Sequence, residues 1–335
     1  MNLVRESSSL SDGTIKICSK WFDLIFYSIC SNIILMKILI INYSRIGDSV
    51  LSTALINHLL DEHPDSRISV VTSSISKDLF ERMPRLENLI VIDKKKYSLH
   101  WVDIWKLVIN QSWDLTIDLR SSYLSYTIRT KEYKIFKGND KLPKVEQLKN
   151  FLNTSKEIVP HVWLNEEDVL ESKKLLHGNA PYVAVAPFSN WPQKDWSLEK
   201  YIDLFQNNFF QRYTLLFFGQ TQDIRDKELF DSLLNLKNLR IVNLFDQGNL
   251  RQLTSIIDEC DFFIGSDSAL MHLAATTKCK TIGLFGPTND IVYGPWGAGN
   301  ISIRASVQDN ENLIKNDYLE NISVEEVYNK IQNIV

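Results

Sequence analysis

The sequence predicts an α/β protein built from two halves that face each other across a cleft. Each half is a parallel sheet covered by helices. Three observations carry this. Short, unbroken apolar runs recur at residues 37–42 (KILIIN), 182–186 (YVAVA) and 262–264 (FFI), as expected of strands buried on both faces. Amphipathic helical patterns separate such runs. The alternation runs through twice, with a Lys-, Asn- and Pro-containing stretch at 130–165 between the two series.

In the first series, 37–42 is a strand, followed by the turn Tyr43-Ser44-Arg45-Ile46-Gly47-Asp48. A helix over 49–63 places Val50, Leu51, Ala54, Leu55 and Leu59 on one side and ends at Pro64. Strand 68–72, short helix 76–83, strand 89–92, helix 101–110 and strand 115–119 follow. Residues 130–165 read as an irregular margin and linker, with one amphipathic stretch at 145–152. The second series runs through strand 182–186, helix 198–210, strand 213–218, helix 226–234, strand 239–243, helix 250–258 and strand 262–264. A helix then follows Asp267-Ser268, and a strand over 281–285 ends in Gly286-Pro287. Helix 323–335 closes the chain, with Ser323 as N-cap and Glu326 at capping-box spacing. Two such halves are two Rossmann-like domains, assigned to 36–165 and 166–335, with residues 1–35 as an extension.

Bulk properties agree. The 335 residues suit about two domains of roughly 150 residues. A net charge of −4 argues against nucleic acid as a partner. Cys18, Cys30, Cys260 and Cys279 form no C-x-x-C pair, so no metal site or disulfide is expected and a cytoplasmic setting fits. Residues 1–16 are polar and serine-rich, the composition of a disordered segment. Residues 21–36 are apolar but shorter than the ~20 residues of a membrane span. They read as an interfacial helix, a packed extension, or sequence upstream of the translated start; Met36-Lys37, directly before the first strand, favours the last.

Ligands of such sheets bind at the carboxyl ends of the strands. Gly265-Ser266-Asp267-Ser268-Ala269 follows a strand and opens a helix, where free N–H groups suit a phosphate. The same residues also fit a plain helix cap, with His272 as a core histidine one turn on. In the first half, Asp48 at a helix start reads either as a cap or as a general base aimed into the cleft. The turn lacks G-x-G-x-x-G and a Walker lysine. Ser189, Asn190 and Lys194 follow the first strand of the second half and suit a diphosphate leaving group; alone, Lys194 reads as a solvated lysine. Asp223, one strand over, suits ribose hydroxyls or a solvated loop. Motifs for a serine-hydrolase elbow and a zinc protease are missing.

Together, Lys37–Asn42, Arg45-Ile46-Gly47-Asp48, Lys194-x-Trp196, Asp267-Ser268-x-x-x-His272-Leu-Ala-Ala and Phe285-Gly286-Pro287-Thr288 resemble the ADP-heptose:lipopolysaccharide heptosyltransferases, glycosyltransferase family 9. The resemblance covers residues 36 to the end. It implies the GT-B fold and an inverting transfer of heptose from ADP-heptose to a lipopolysaccharide-core or related surface glycan, without cofactor or metal. It implies a lipid-linked acceptor, and with it peripheral contact at the inner membrane. By position it makes Asp48 the base and Lys194 the diphosphate lysine. Asp267 and Ser268 become the donor-sugar and phosphate pair, and His272 the motif histidine. Asp223 stands where a glutamate is usual. Ala269 replaces a usual Gly, Asp195 a common Arg, Ser197 a common Pro, and Lys144 stands near a usual linker His. The alternative is a non-catalytic nucleotide-sugar or glycan-binding protein on the same fold, with Ala269 marking a decayed donor site.

Overall fold

The structure is a computed structural model that describes residues 35–176, 180–304 and 319–335. The expectations for residues 1–34 lie outside that range. The first half contains β1 (Met36–Ile41), α1 (Ile46–Glu62), β2 (Ser66–Thr72), β3 (Leu86–Val91), α2 (His100–Val108), β4 (Ser112–Asp118), β5 (Arg129–Ile135) and α3 (Lys144–Leu152). The second contains α4 (Glu166–Leu175), β6 (Tyr182–Ala186), α5 (Leu198–Phe205), β7 (Thr214–Phe217), α6 (Lys227–Leu234), β8 (Arg240–Asn243) and α7 (Leu250–Asp258). It continues through β9 (Phe262–Ser266), α8 (Ala269–Ala274), β10 (Lys280–Phe285), α9 (Asp290–Tyr293), β11 (Ile301–Arg304) and α10 (Val324–Ile334).

All strand pairs are parallel. The first sheet has the order β3-β2-β1-β4-β5 and the second β11-β10-β9-β6-β7-β8. In each, the first strand lies at the switch point where the winding reverses, and the crevice beyond its carboxyl end is open to a ligand. The apolar runs earn their central places. Ile38, Leu39, Ile40 and Ile41 are fully buried, and so are Val183 to Ala186. Leu39, Ile41 and Val71 meet Ile104 and Val108 of α2. On one face of the second sheet, Val183, Phe217 and Phe262 meet Tyr201 and Phe205 of α5. On the other, Phe263 meets Ile256 of α7 and Met271 of α8.

Several local expectations change. Residues 129–135 are not linker but edge strand β5, paired with β4 from Ser112↔Arg129 to Asp118↔Ile135. The amphipathic stretch becomes helix α3, which packs on α1. The helix α4 and the edge strand β11 were not anticipated. The expected helix over 76–83 is a 3-10 turn at Ser74–Leu79. The helix expected over 198–210 stops at Phe205 and gives way to a 3-10 segment at Asn208–Arg212. Helix α1 starts three residues earlier than expected, at Ile46. At the C-terminus, Ser323 Oγ accepts the Glu326 N–H at 3.1 Å, as its spacing predicted.

Candidate active site between the two sheets

The early start of α1 decides the setting of Asp48. With Arg45 as N-cap, Asp48 lies in the first helical turn and caps nothing. Among the described residues no hydrogen bond reaches its carboxylate. Gly47, beside it, lets α1 approach α8 of the other half. A Cβ at position 47 would lie 2.8 Å from His272 Cδ2. The first turn of α1 therefore rests against the motif histidine.

The second half supplies a buried ion pair. Lys194 Nζ donates to Asp267 Oδ2 at 2.6 Å, with the two side chains 17% and 6% exposed. Lys194 is thus not a solvated lysine. Nor is Asp267 a helix cap. Ser268 is the N-cap of α8 without a side-chain bond, and Ser266 Oγ donates to Pro187 O at 3.2 Å. Helix α8 has only six residues, so its macrodipole is weaker than the sequence suggested. Gly265 belongs to β9 rather than to a turn; a Cβ there would meet Ala186 O at 2.5 Å, so glycine allows close strand approach.

His272 is fully packed in. Burial pushes its pKa down, and the attraction of Asp267 and Asp48 opposes this only in part. The ring is neutral, so its 3.7 Å approach to Asp267 is a contact rather than an ion pair. The charges of Asp48, Asp267 and Lys194 are all felt at this one imidazole. The structure thus gathers Asp48, Lys194, Asp267 and His272 around the facing helix starts. Ser268 Oγ, His272 Nδ1 and Thr288 Oγ1 are buried without hydrogen-bond partners, at the carboxyl ends of β9 and β10. Buried polar atoms are ordinarily paired, so such a group marks a place where a polar ligand fits.

One strand over, Ser189 is already engaged. Its N–H donates to Asp195 Oδ1 at 2.7 Å and its hydroxyl to Trp191 O at 2.8 Å. Asn190 is exposed. Arg225 Nη2 donates to Ser189 O at 2.7 Å and lies 3.7 Å from Asp195 and, through Nη1, 3.8 Å from Asp223. Burial raises the Asp195 carboxyl to about 6, against the lowering effect of its bonds to Ser189 and the charge of Arg225. Asp223, partly buried, is shifted up by desolvation. Ala269 opens α8, half-buried.

Two residues here, Arg225 and Tyr293, escaped the sequence reading, and a third, Lys144, was read only as standing near a usual linker His. Arg225 ties the loop after β6 to the loop after β7. Tyr293 on α9 feels both Asp48 and Asp267, and burial, the largest effect, raises its pKa. Lys144 at the start of α3 has its ammonium over the ring of Tyr43. The acidic–basic run Asp223-Ile224-Arg225-Asp226 was a usable signal for the first; the other two depend on long-range packing that periodicity does not encode. Among the described residues, no three His, Cys, Asp or Glu side chains converge as a metal-ligand set.

Comparison with known proteins gives this geometry a family. Residues 143–323 match the model of glycosyltransferase family 9 (heptosyltransferase). The chain is 23% identical over 283 residues to the lipopolysaccharide core heptosyltransferase OpsX of Haemophilus influenzae, covering 77% of this chain and 81% of that protein. It is 26% identical over 285 residues to lipooligosaccharide heptosyltransferase 2 of Campylobacter jejuni, covering 80% and 86%. The crystal structure of a family 9 glycosyl transferase from Veillonella parvula superposes with a TM-score of 0.76 at 22% identity, over 89% of this chain and 97% of that one. The E. coli ADP-heptose lps heptosyltransferase II superposes at 0.72 with 19% identity, over 89% and 98%. The fold is GT-B, and the chain belongs to glycosyltransferase family 9.

Proposed function

We propose that this glycosyltransferase moves heptose from ADP-heptose to a lipopolysaccharide-core or related surface glycan with inversion at the anomeric carbon. Residues 36–165 carry the acceptor side and 166–335 the donor side. The observation that supports this most is the meeting of Asp48, from the first sheet, with the Lys194–Asp267 pair, from the second, around His272. Heptosyltransferase names among the relatives support the donor and acceptor classes.

The chemistry follows from the groups present. An acceptor hydroxyl is a weak nucleophile and needs a base within hydrogen-bond reach, a contribution of roughly 10²–10⁴-fold. The carboxylate of Asp48 takes that proton. The acceptor oxygen forms the new bond to the anomeric carbon while the bond to the diphosphate breaks. Charge grows on the departing diphosphate, where the Lys194 ammonium and the open Ser268 hydroxyl stabilise it. Asp267 accepts from sugar hydroxyls, and Asn190 and Asp223 face the nucleotide. Ser189 acts by holding its loop, since its polar groups are engaged within the protein. His272 packs beside Asp267 and against the seam at Gly47. At Ala269 an added methyl narrows the approach of a phosphate to the backbone.

The test is Asp48→Asn. Transfer is expected to fall by at least about a hundredfold while donor affinity, read by calorimetry, stays within a few-fold. Turnover near the wild-type rate would remove Asp48 from the base role. The non-catalytic reading is not favoured, given the family match and the heptosyltransferase names among the relatives.

A lipid-linked acceptor places the enzyme at a bilayer surface, and we propose peripheral contact with the cytoplasmic face of the inner membrane through the first half. Among the described residues no helix is long and apolar enough to cross a membrane.

A further inference from the structure

We propose that Lys144 and Tyr43 form an anion subsite beside Asp48, which receives a carboxylate or phosphate carried by the acceptor. The inference rests on the reading of Asp48 as the acceptor's base. Lys144 opens α3 directly after Pro143 and is only 9% exposed. Its Nζ lies 4.8 Å from the ring centroids of both Tyr43 and Phe136. Among the described residues no carboxylate comes within ion-pair distance of it. Arg251, buried to a similar degree, meets Asp168 at 3.0 Å and Glu81 at 2.8 Å.

A buried ammonium without a counter-ion is costly. Two aromatic faces offset only part of this. Burial depresses the Lys144 pKa, and Asp48 acts on it from a distance without pairing. Tyr43 adds a second unmet donor, since its hydroxyl is buried without a hydrogen-bond partner. An ammonium over the ring of a tyrosine whose hydroxyl also lacks an acceptor fits one anionic group within reach of both. Tyr43, Asp48 and Lys144 all come from the first half, whereas the donor's diphosphate has its own cation in Lys194 on the second. The anion therefore belongs to the molecule whose hydroxyl reaches Asp48.

The experiment compares wild type with Lys144→Met, which keeps an unbranched apolar stem against Tyr43 and Phe136, and with Lys144→Arg and Tyr43→Phe. Each meets a lipooligosaccharide acceptor in three forms: intact, dephosphorylated with hydrogen fluoride, and carboxyl-reduced. Acceptor affinity is read by calorimetry with ADP present, whether or not transfer occurs, and transfer kinetics are read beside it. Wild type is expected to bind the intact form about tenfold or more tightly than the form lacking the recognised anion, which identifies that anion as phosphate or carboxylate. Lys144→Met should bind all three forms alike, with a raised KM, a nearly unchanged kcat and unchanged acceptor-free donor hydrolysis. Lys144→Arg should restore part of the preference, and Tyr43→Phe should lose part of it. If Lys144→Met discriminates as wild type does, or loses donor affinity instead, the subsite is wrong. Acceptor discrimination without any transfer would leave the subsite standing and remove the transferase mechanism.

Discussion

Among the described residues, Lys194 and Asp267 are each other's only close counter-charges, at 2.6 Å and almost out of solvent. The pair sets two demands that a variant series separates. Lys194→Ala strands a buried carboxylate, and stability is expected to fall by about 3–5 kcal/mol along with donor affinity. The double variant Lys194→Met, Asp267→Leu removes both charges and should regain most of that stability in denaturant titrations, while donor binding stays lost. A double variant as unstable as the single one would mean that the pair does not act as a charge pair. Asp195 makes the opposite prediction. Its carboxyl, raised to about 6 by burial, holds its proton more tightly folded than unfolded. Stability is therefore undiminished below the ordinary carboxyl range, declines as pH rises through it, and has lost its full amount above about pH 6. Asp195→Asn keeps an acceptor for the Ser189 N–H and should stabilise the protein at pH 8 by about 1–3 kcal/mol, with the gain vanishing near pH 4. A pH-independent difference would contradict the burial argument.

Among elements, the seam between the halves centres on Arg251 at the start of α7. Its Nε donates to Asp168 of α4 at 3.0 Å, and its Nη1 to Glu81 Oε2 at 2.8 Å and Asp78 O at 2.7 Å. Arg82 reaches across to Glu167 at 2.9 Å. A guanidinium shared between two halves both fastens them and limits how they turn. Arg251→Met is expected to cost about 3–5 kcal/mol, and Arg251→Met with Asp168→Leu to recover part of it, read by thermal unfolding. An unchanged midpoint in the single variant would show the cluster to be solvent-screened. The same scale explains what the sequence revealed. Central strands such as YVAVA are buried on both faces and announce themselves as apolar runs. The edge strand β5 (RTKEYKI) is half-exposed and charged, as unpaired edges tend to be, and so it reads as a loop. β11 has four residues, and α4 (EEDVLESKKL) buries Asp168 and Ser172 while exposing Leu170, so its pattern lacks a clear apolar face. At the candidate site, Asp48, Lys194 and Asp267 were legible as candidates because short motifs at strand ends carry them. Tyr293 and the setting of Lys144 were not, because only tertiary packing brings them there, and the charge run around Arg225 went unread.

At the scale of the molecule, the acidic net charge hides an asymmetry. Residues 36–160 hold nineteen Lys and Arg against fifteen Asp and Glu, while residues 161–335 hold fifteen against twenty-three. The positive half also exposes apolar side chains in the segment that follows β3. Tyr97 is 92% exposed beside Lys94, Lys95 and Lys96, with Leu99 just before α2 and Val102 on it. Arg120 joins this edge to the next loop: its guanidinium stacks 4.3 Å over Trp101 and approaches His100 at 3.3 Å, and Tyr123, 87% exposed, follows three residues on. Helix α2 thus buries His100, Ile104 and Val108 yet keeps Val102, Trp105 and Leu107 exposed on its outer side. Aromatic rings and lysines together suit the headgroup level of an anionic bilayer, at about 1 kcal/mol per basic side chain. The full chain is expected to sediment with vesicles of three parts phosphatidylcholine to one part phosphatidylglycerol, and not with phosphatidylcholine alone. High salt should release it. Lys94→Glu with Lys96→Glu should abolish sedimentation without altering transfer to a de-acylated, water-soluble acceptor, whereas Lys227→Glu with Lys237→Glu in the acidic half should not. Equal binding to both vesicle types, or a dimer in solution that Tyr97→Ser with Leu99→Ser splits, would assign this face to a neutral surface or to a second copy of the chain instead.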